Sequence, residues 1–365
     1  MILYDMPPLL KVGSEHTCVR QSPNSIDQIA QKKSPKMESN KPIKFPNESK
    51  PQLMVVIDTE EEFDWSAPAD RAATSVTAME HIAVVQDIFD LYGIIPCYVV
   101  DYPVASQSAG FSELKRIMMD GRCEIGTHLH PWVNPPFDEE LNNRNTFPGN
   151  CDPQIEHEKL QLLTEQIQKT FDFDPKIYKA GRYGFGPNTT RILKNLGYEI
   201  DLSFCPPVDY RNLEGPDYSD CHAEPFWLDA EKQLLEIPIT GAFIGWSGAF
   251  AKPLYNFSQN FPSLKMPGVF SRLGLVDRLM LSPEGFNTKE HIALTKGLYH
   301  KGVRTFTWSF HSPSVVSGKT PYVNNQADLD EFLDRFKRFF DYFFGELGGQ
   351  ATTPTKLKTQ IGQLQ

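Results

Sequence analysis

Two histidines, in the stretch Cys123-Glu124-Ile125-Gly126-Thr127-His128-Leu129-His130-Pro131-Trp132, are the residues of this chain best suited to hold a metal. The stretch reads as a short buried strand, and side chains two apart in a strand point the same way. Imidazole suits zinc and related divalent ions, and catalytic sites of that kind leave one coordination position for water. A His-X-His that stands alone more often packs or hydrogen-bonds, so further ligands and acid–base groups decide the matter.

Candidates stand at three other strand-like segments. Leu53-Met54-Val55-Val56-Ile57-Asp58 is a continuous apolar run closing on a carboxylate, the pattern of a strand buried on both faces. Glu60 follows two positions on and faces the same side if the extended conformation persists; Glu61, Glu62 and Asp64 add charge beside it. Residues 176–179 form a brief strand leading into Gly181-Arg182-Tyr183-Gly184, and residues 303–310 form a late strand ending in His311.

The elements that must position these groups alternate. Strands are expected at 53–58, 94–100, 123–129, 176–179, 198–204, 234–239 and 303–310. Helices are expected at 77–92, 111–120, 155–171, 188–196, 271–281, 289–301 and 329–344, from apolar residues at helical spacing and glycines placed as C-terminal caps. Strand–helix alternation implies parallel pairing with right-handed crossovers. About seven strands closed on themselves give an incomplete (β/α) barrel, α/β in class. An open parallel sheet is the alternative, without the glycine fingerprint of a dinucleotide site to favour it. In a barrel the C-terminal strand ends share one face, so Asp58, Glu60, His128, His130, Arg182 and His311 would meet there. Residues 241–267, rich in Phe, Trp, Gly and Pro, break the alternation and read as an excursion or lid.

Composition sets the surroundings. A formal charge of −10 over 365 residues gives no basic face for nucleic acid. Six cysteines without a CxxC pair suggest neither a thiolate metal site nor a disulfide framework. No stretch is apolar enough to span a membrane, and the N-terminus lacks the basic start and apolar run of a signal peptide, which favours a cytoplasmic location. Residues 1–50 read as a disordered tail, 51–347 as the barrel and 348–365 as a flexible C-terminal tail.

The order of these features resembles the NodB-type polysaccharide deacetylases, carbohydrate esterase family four, and within it a WalW-like branch associated with surface-polysaccharide biosynthesis. The segments that carry the resemblance are Val56-Ile57-Asp58-Thr59-Glu60, Gly126-Thr127-His128-Leu129-His130-Pro131, Gly181-Arg182-Tyr183-Gly184 and Phe310-His311-Ser312, spread over roughly residues 52–345. It departs from the family pattern in two places: one residue rather than three separates the histidines, and the adjacent carboxylates have become Asp-Thr-Glu. The resemblance implies a metal-dependent hydrolase that removes N-acetyl or O-acetyl groups from a polysaccharide or glycan precursor. It further implies Glu60, His128 and His130 as ligands of a divalent metal (zinc, with cobalt or nickel as substitutes) and Asp58 as general base. His311 would be general acid, Arg182 would orient Asp58, and the Tyr183 backbone N–H would face the oxyanion. The alternatives are a non-catalytic glycan-binding or assembly protein on the same barrel, or an amidohydrolase-type barrel. Trp132, Tyr183, Trp246 and Trp308 are candidates to stack on sugar rings, and Asp201 or Asp209 to orient Arg182 or a substrate.

Overall fold

Every strand expected from the apolar runs forms. The computed structural model describes residues 41–259, 261 and 266–364. Its strands are β1 (Gln52–Thr59), β2 (Cys97–Val100), β3 (Glu124–Leu129), β4 (Ile177–Ala180), β5 (Ile200–Asp201), β6 (Phe226–Trp227), β7 (Leu235–Glu236), β8 (Gly241–Ile244), β9 (Asp277–Met280), β10 (Thr305–His311) and β11 (Gln350–Ala351). The main sheet runs β10-β1-β2-β3-β4-β5-β7-β6, with β11 added beside β1. All these pairings are parallel except β6 with β7.

The sheet curls into an incomplete barrel. β1 and β4 are separated by two strands, a path of about 14 Å at ordinary strand spacing. Yet the Lys179 ammonium on β4 reaches the Asp58 carboxylate on β1 directly, and lies 3.2 Å from Ser309 Oγ on β10. Only strong curvature brings those strands within one side chain of each other. The remaining gap is bridged by single residues: Ile239 N donates to Phe204 O, Leu281 N to Thr240 O at 2.8 Å, and Ser309 N to Leu281 O at 3.1 Å. Thr307 N donates to Thr240 Oγ1, also at 2.8 Å.

Pleating sorts β1 cleanly. Met54 and Val56 point into the barrel with Cys97, Val99, Ile177, Ile200, Leu202, Leu235 and Ile237. Leu53, Val55 and Ile57 face the outer layer, where Phe332, Phe336, Phe339 and Phe340 of the helix Gln326–Phe340 lie. Asp58 continues the inward series and marks the point where the interior turns polar.

Three expectations change. Of the segment 348–365, expected as a flexible tail, the described residues 348–364 pack: β11 pairs with β1, and the helix Pro354–Leu364 buries Leu357 and Ile361 completely against Met54 and Val56 at the N-terminal end of the barrel. Of the segment expected as a disordered tail, residues 1–40 lie outside the described residues. The described part packs from its start, with Ile43 N donating to Pro225 O and Asn47 O accepting from the Arg304 guanidinium. The stretch 271–281, read as helical, instead contributes β9, which pairs antiparallel with β8 so that 241–280 is a hairpin carrying the helices Ala251–Gln259 and Met266–Arg272. Apolar residues at both helical and alternate spacing made that stretch ambiguous, and pairing with β8 decides it. Among the described residues no helix is long and apolar enough to cross a membrane.

Candidate metal centre and acid–base pairs

Glu60, His128 and His130 converge, all buried, at the C-terminal ends of β1 and β3. Glu60 Oε2 is 3.5 Å from His128 Nε2 and 3.4 Å from His130 Nε2. Leu129, between them, points into the outer core. The rings are fixed from behind. His128 Nδ1 lies 3.0 Å from the carbonyl of Lys179, which can only accept, so Nδ1 carries the proton and Nε2 presents its lone pair toward Glu60. His130 Nδ1 is 2.8 Å from Glu61 Oε2, and Trp132 Nε1 donates to the other oxygen of that carboxylate. Gly181 completes the wall: a side chain there would strike Cδ2 of His130 at 2.4 Å.

Electrostatics favour neutral imidazoles. Burial pushes His130 down to about 4 and His128 well below the usual histidine range. Glu60 is driven the other way, first by burial and then by Glu61 and Asp58, and its Oε1 has no hydrogen-bond partner. Two imidazole lone pairs and a carboxylate lacking a compensating cation, with Nδ1 atoms already engaged, form a donor set that fits a divalent ion of the zinc type.

Two acid–base groups flank the cluster. His311 Nε2 is 3.7 Å and His128 Nε2 4.0 Å from Asp58 Oδ2. Burial opposes ionisation of Asp58, but Lys179, His128 and His311 together hold its carboxyl below the ordinary value. His311 is opposed by burial as well, yet Glu284, 2.7 Å from Nδ1, and Asp58 raise it above the ordinary histidine value. The Glu284 carboxylate also accepts from His311 N at 3.1 Å. The site therefore sets an acid held below its ordinary range beside a histidine held above its own.

The sequence expectation fails at Arg182. Its guanidinium does not touch Asp58; Nη1 donates to Asn143 Oδ1 at 3.0 Å and to Thr146 Oγ1, and the group stacks on Phe147. Lys179 takes the place expected for it, because Lys179 points inward on β4 whereas Arg182 lies past the strand end, where the chain turns. Arg182 and Tyr183 both have positive φ, 52° and 58°. That conformation is unusual for two successive non-glycine residues and is held by Tyr218 Oη donating to Tyr183 O. The Tyr183 ring stacks on Tyr210 and lies under the Lys179 ammonium.

Of the candidate stacking aromatics, Trp308 is core, stacked on Phe339, and Trp132 serves Glu61. Trp246 is 74% exposed on the 241–280 hairpin, and Trp65, not singled out from sequence, stands edge-on to His311 at 4.9 Å. Asp201 is bonded to Ser203 and Asp209 to Arg211, so neither orients Arg182. Lys179 and Glu284 escaped sequence reading, and Glu61 was read only as added charge beside Glu60. Lys179 alone left a signal, a lysine inside an otherwise apolar strand segment.

No family model matches the sequence, and no curated protein does. Among solved structures, the chain is similar to a putative polysaccharide deacetylase from Mycobacterium smegmatis (13% identity, 88% of this chain and 94% of that one, TM-score 0.49). It is similar also to a probable polysaccharide deacetylase from Pseudomonas aeruginosa PAO1 (16%, 86% and 91%, 0.49) and to the Puue allantoinase (15%, 86% and 90%, 0.49). The chemistry open to this site stands on its own geometry.

Proposed function

We propose that this protein is a metal-dependent hydrolase that removes acetyl groups from an N- or O-acetylated polysaccharide or glycan precursor. The observation that carries the proposal is the juxtaposition of the Glu60/His128/His130 donor set with the Asp58–His311 acid–base pair on one rim of the barrel. The choice of an acylated carbohydrate is supported by the order of the four sequence motifs.

Glu60, His128 and His130 would hold the ion, zinc by preference for this donor set, and a bound divalent ion polarises an acyl carbonyl and makes water acidic enough to react near neutral pH. The chain's own groups handle the protons. Asp58, kept ionised by Lys179, accepts the proton of the attacking water. His311, whose proton affinity Glu284 raises, delivers a proton to the leaving amine or alcohol as the C–N or C–O bond breaks, so acetate and the free sugar group are released. His311 then regains its proton from solvent and Asp58 loses its own. A non-catalytic glycan-binding barrel would have no use for a buried acid and a buried histidine whose proton affinities are pushed apart in this way.

The test is acetate release from acetylated chitooligosaccharides by the purified chain. Release that is lost in Asp58→Asn and in His311→Ala, with folding retained, supports the assignment. Equal release by all three proteins overturns it.

A further inference from the structure

Arg182 is a cation without a counter-charge. Its guanidinium is largely enclosed, its two hydrogen bonds go to the neutral Asn143 and Thr146, and no carboxylate of the described residues lies within ion-pair distance. Nε and Nη2 have no partner among the described residues. Burial pushes the group down to about 10, and the nearest compensating influence is the phenol of Tyr210. Nε and Nη2 are not buried, so they are open to an incoming group.

Arg304 shows what a self-sufficient buried arginine looks like in the same molecule. It too has no acid partner, but carbonyls of Asn47, Tyr299 and Val303 occupy Nε, Nη1 and Nη2. Arg182 leaves half of its planar fork open, and that fork matches an oxyanion in bidentate geometry. Its aim is also fixed. The residue is held at positive φ, it stacks on Phe147 at 4.3 Å, and it follows Gly181, which abuts the His130 ring.

We infer that Arg182 is a specificity residue that receives an oxyanion substituent, a carboxylate or a phosphate, carried by the sugar whose acyl group lies at the Glu60/His128/His130 centre. That the anion belongs to an acylated sugar rests on the hydrolase reading; the anion site itself does not. An overall charge of −10 makes the site selective, because a polyanion is repelled generally and an anion is favoured only where this one fork is offered.

The experiment compares three probes on the full-length, metal-loaded chain: N,N′-diacetylchitobiose (neutral), a glucuronate–N-acetylglucosamine disaccharide (carboxylate) and N-acetylglucosamine 1-phosphate (phosphate). Affinity is measured calorimetrically on an Asp58→Asn background that prevents turnover. At least one anionic probe is expected to bind about tenfold or more tightly than the neutral one, the worth of one charged hydrogen-bonded pair. Which one does so identifies the substituent. Adding Arg182→Gln should abolish the preference, and Arg182→Lys should keep part of it. Because the readout is a ratio within each protein, a general loss of binding cancels; if the Gln variant binds nothing, the Lys variant decides. Equal affinity for neutral and anionic probes, or a preference that survives Arg182→Gln, overturns the inference. Acetate release by the wild-type chain is scored separately: its absence with the preference intact would sink the hydrolase reading and leave the anion site standing.

Discussion

Replacing Lys179 by methionine leaves Asp58 buried without its principal counter-charge. Lys179 is fully enclosed and Asp58 is 3% exposed, so water cannot take over the lost role. The cost has a ceiling. Rather than stay charged, the carboxyl can take a proton, and at pH 7 that costs about 1.36 kcal/mol for each of the roughly three units separating pH 7 from an ordinary carboxyl of about 3.9, or about 4 kcal/mol. His311 nearby keeps part of the charge tolerable, so about 2–4 kcal/mol is expected. The sign follows from the direction of the Asp58 shift: its carboxyl is held low in the folded wild type, so the pair contributes above the unfolded value and loses its contribution as pH falls. At pH 5 the ceiling is therefore only about 1.5 kcal/mol. The assay is urea unfolding of chelator-treated protein at both pH values, with Asp58→Asn and the double variant completing a cycle. The double variant should regain most of the loss, a coupling of about 2 kcal/mol. A Lys179→Met protein within about 1 kcal/mol of wild type at pH 7, or strictly additive single variants, would refute the assignment of Lys179 as the partner of Asp58.

Further outcomes follow from other contacts. Glu284→Gln weakens the support behind His311 and is expected to lower kcat by about 10- to 100-fold with little change in KM, read by acetate release. Glu156, buried with Oε2 unpartnered, is raised by burial to about 7, so its neutral form stabilises the fold at low pH and that contribution is lost as pH rises through about 7; Glu156→Gln should therefore raise stability by about 3 kcal/mol at pH 8 and change it little at pH 4, measured by urea unfolding. Leu357→Ala should cost about 2–5 kcal/mol because the side chain fills the base of the barrel, whereas Leu364→Ala, 48% exposed on the same helix, should cost under about 0.5 kcal/mol.

The strands were legible because buried parallel strands write themselves as apolar runs, and residues 53–58 show both the run and its polar end. Period-two alternation also placed His128 and His130 together correctly. What the sequence could not show is curvature. Lys179 and Asp58 are 121 positions apart, and only the curl of the sheet makes them partners. Glu284 sits in a loop after β9 where neither periodicity nor a neighbouring motif marks it, and its role exists only because β10 ends beside it. Arg182 misled because a residue just past a strand end looks like part of the rim, while two positive φ angles turn it toward Asn143 and Thr146. The C-terminal helix was missed because two apolar residues one turn apart, Leu357 and Ile361, suffice to plug a narrow barrel but do not make an apolar stripe.

The central claim is that Glu60, His128 and His130 form one metal centre on which acetyl removal depends. Its most direct measurement is metal content per chain, by elemental analysis after dialysis against zinc, for wild type and His128→Ala, with acetate release recorded on the same samples. The account expects about one ion per wild-type chain, loss of that ion in the variant, and acetate release that disappears with chelator and returns with zinc. A wild-type chain that retains no ion, with acetate release indifferent to chelator and to His128→Ala, would contradict it.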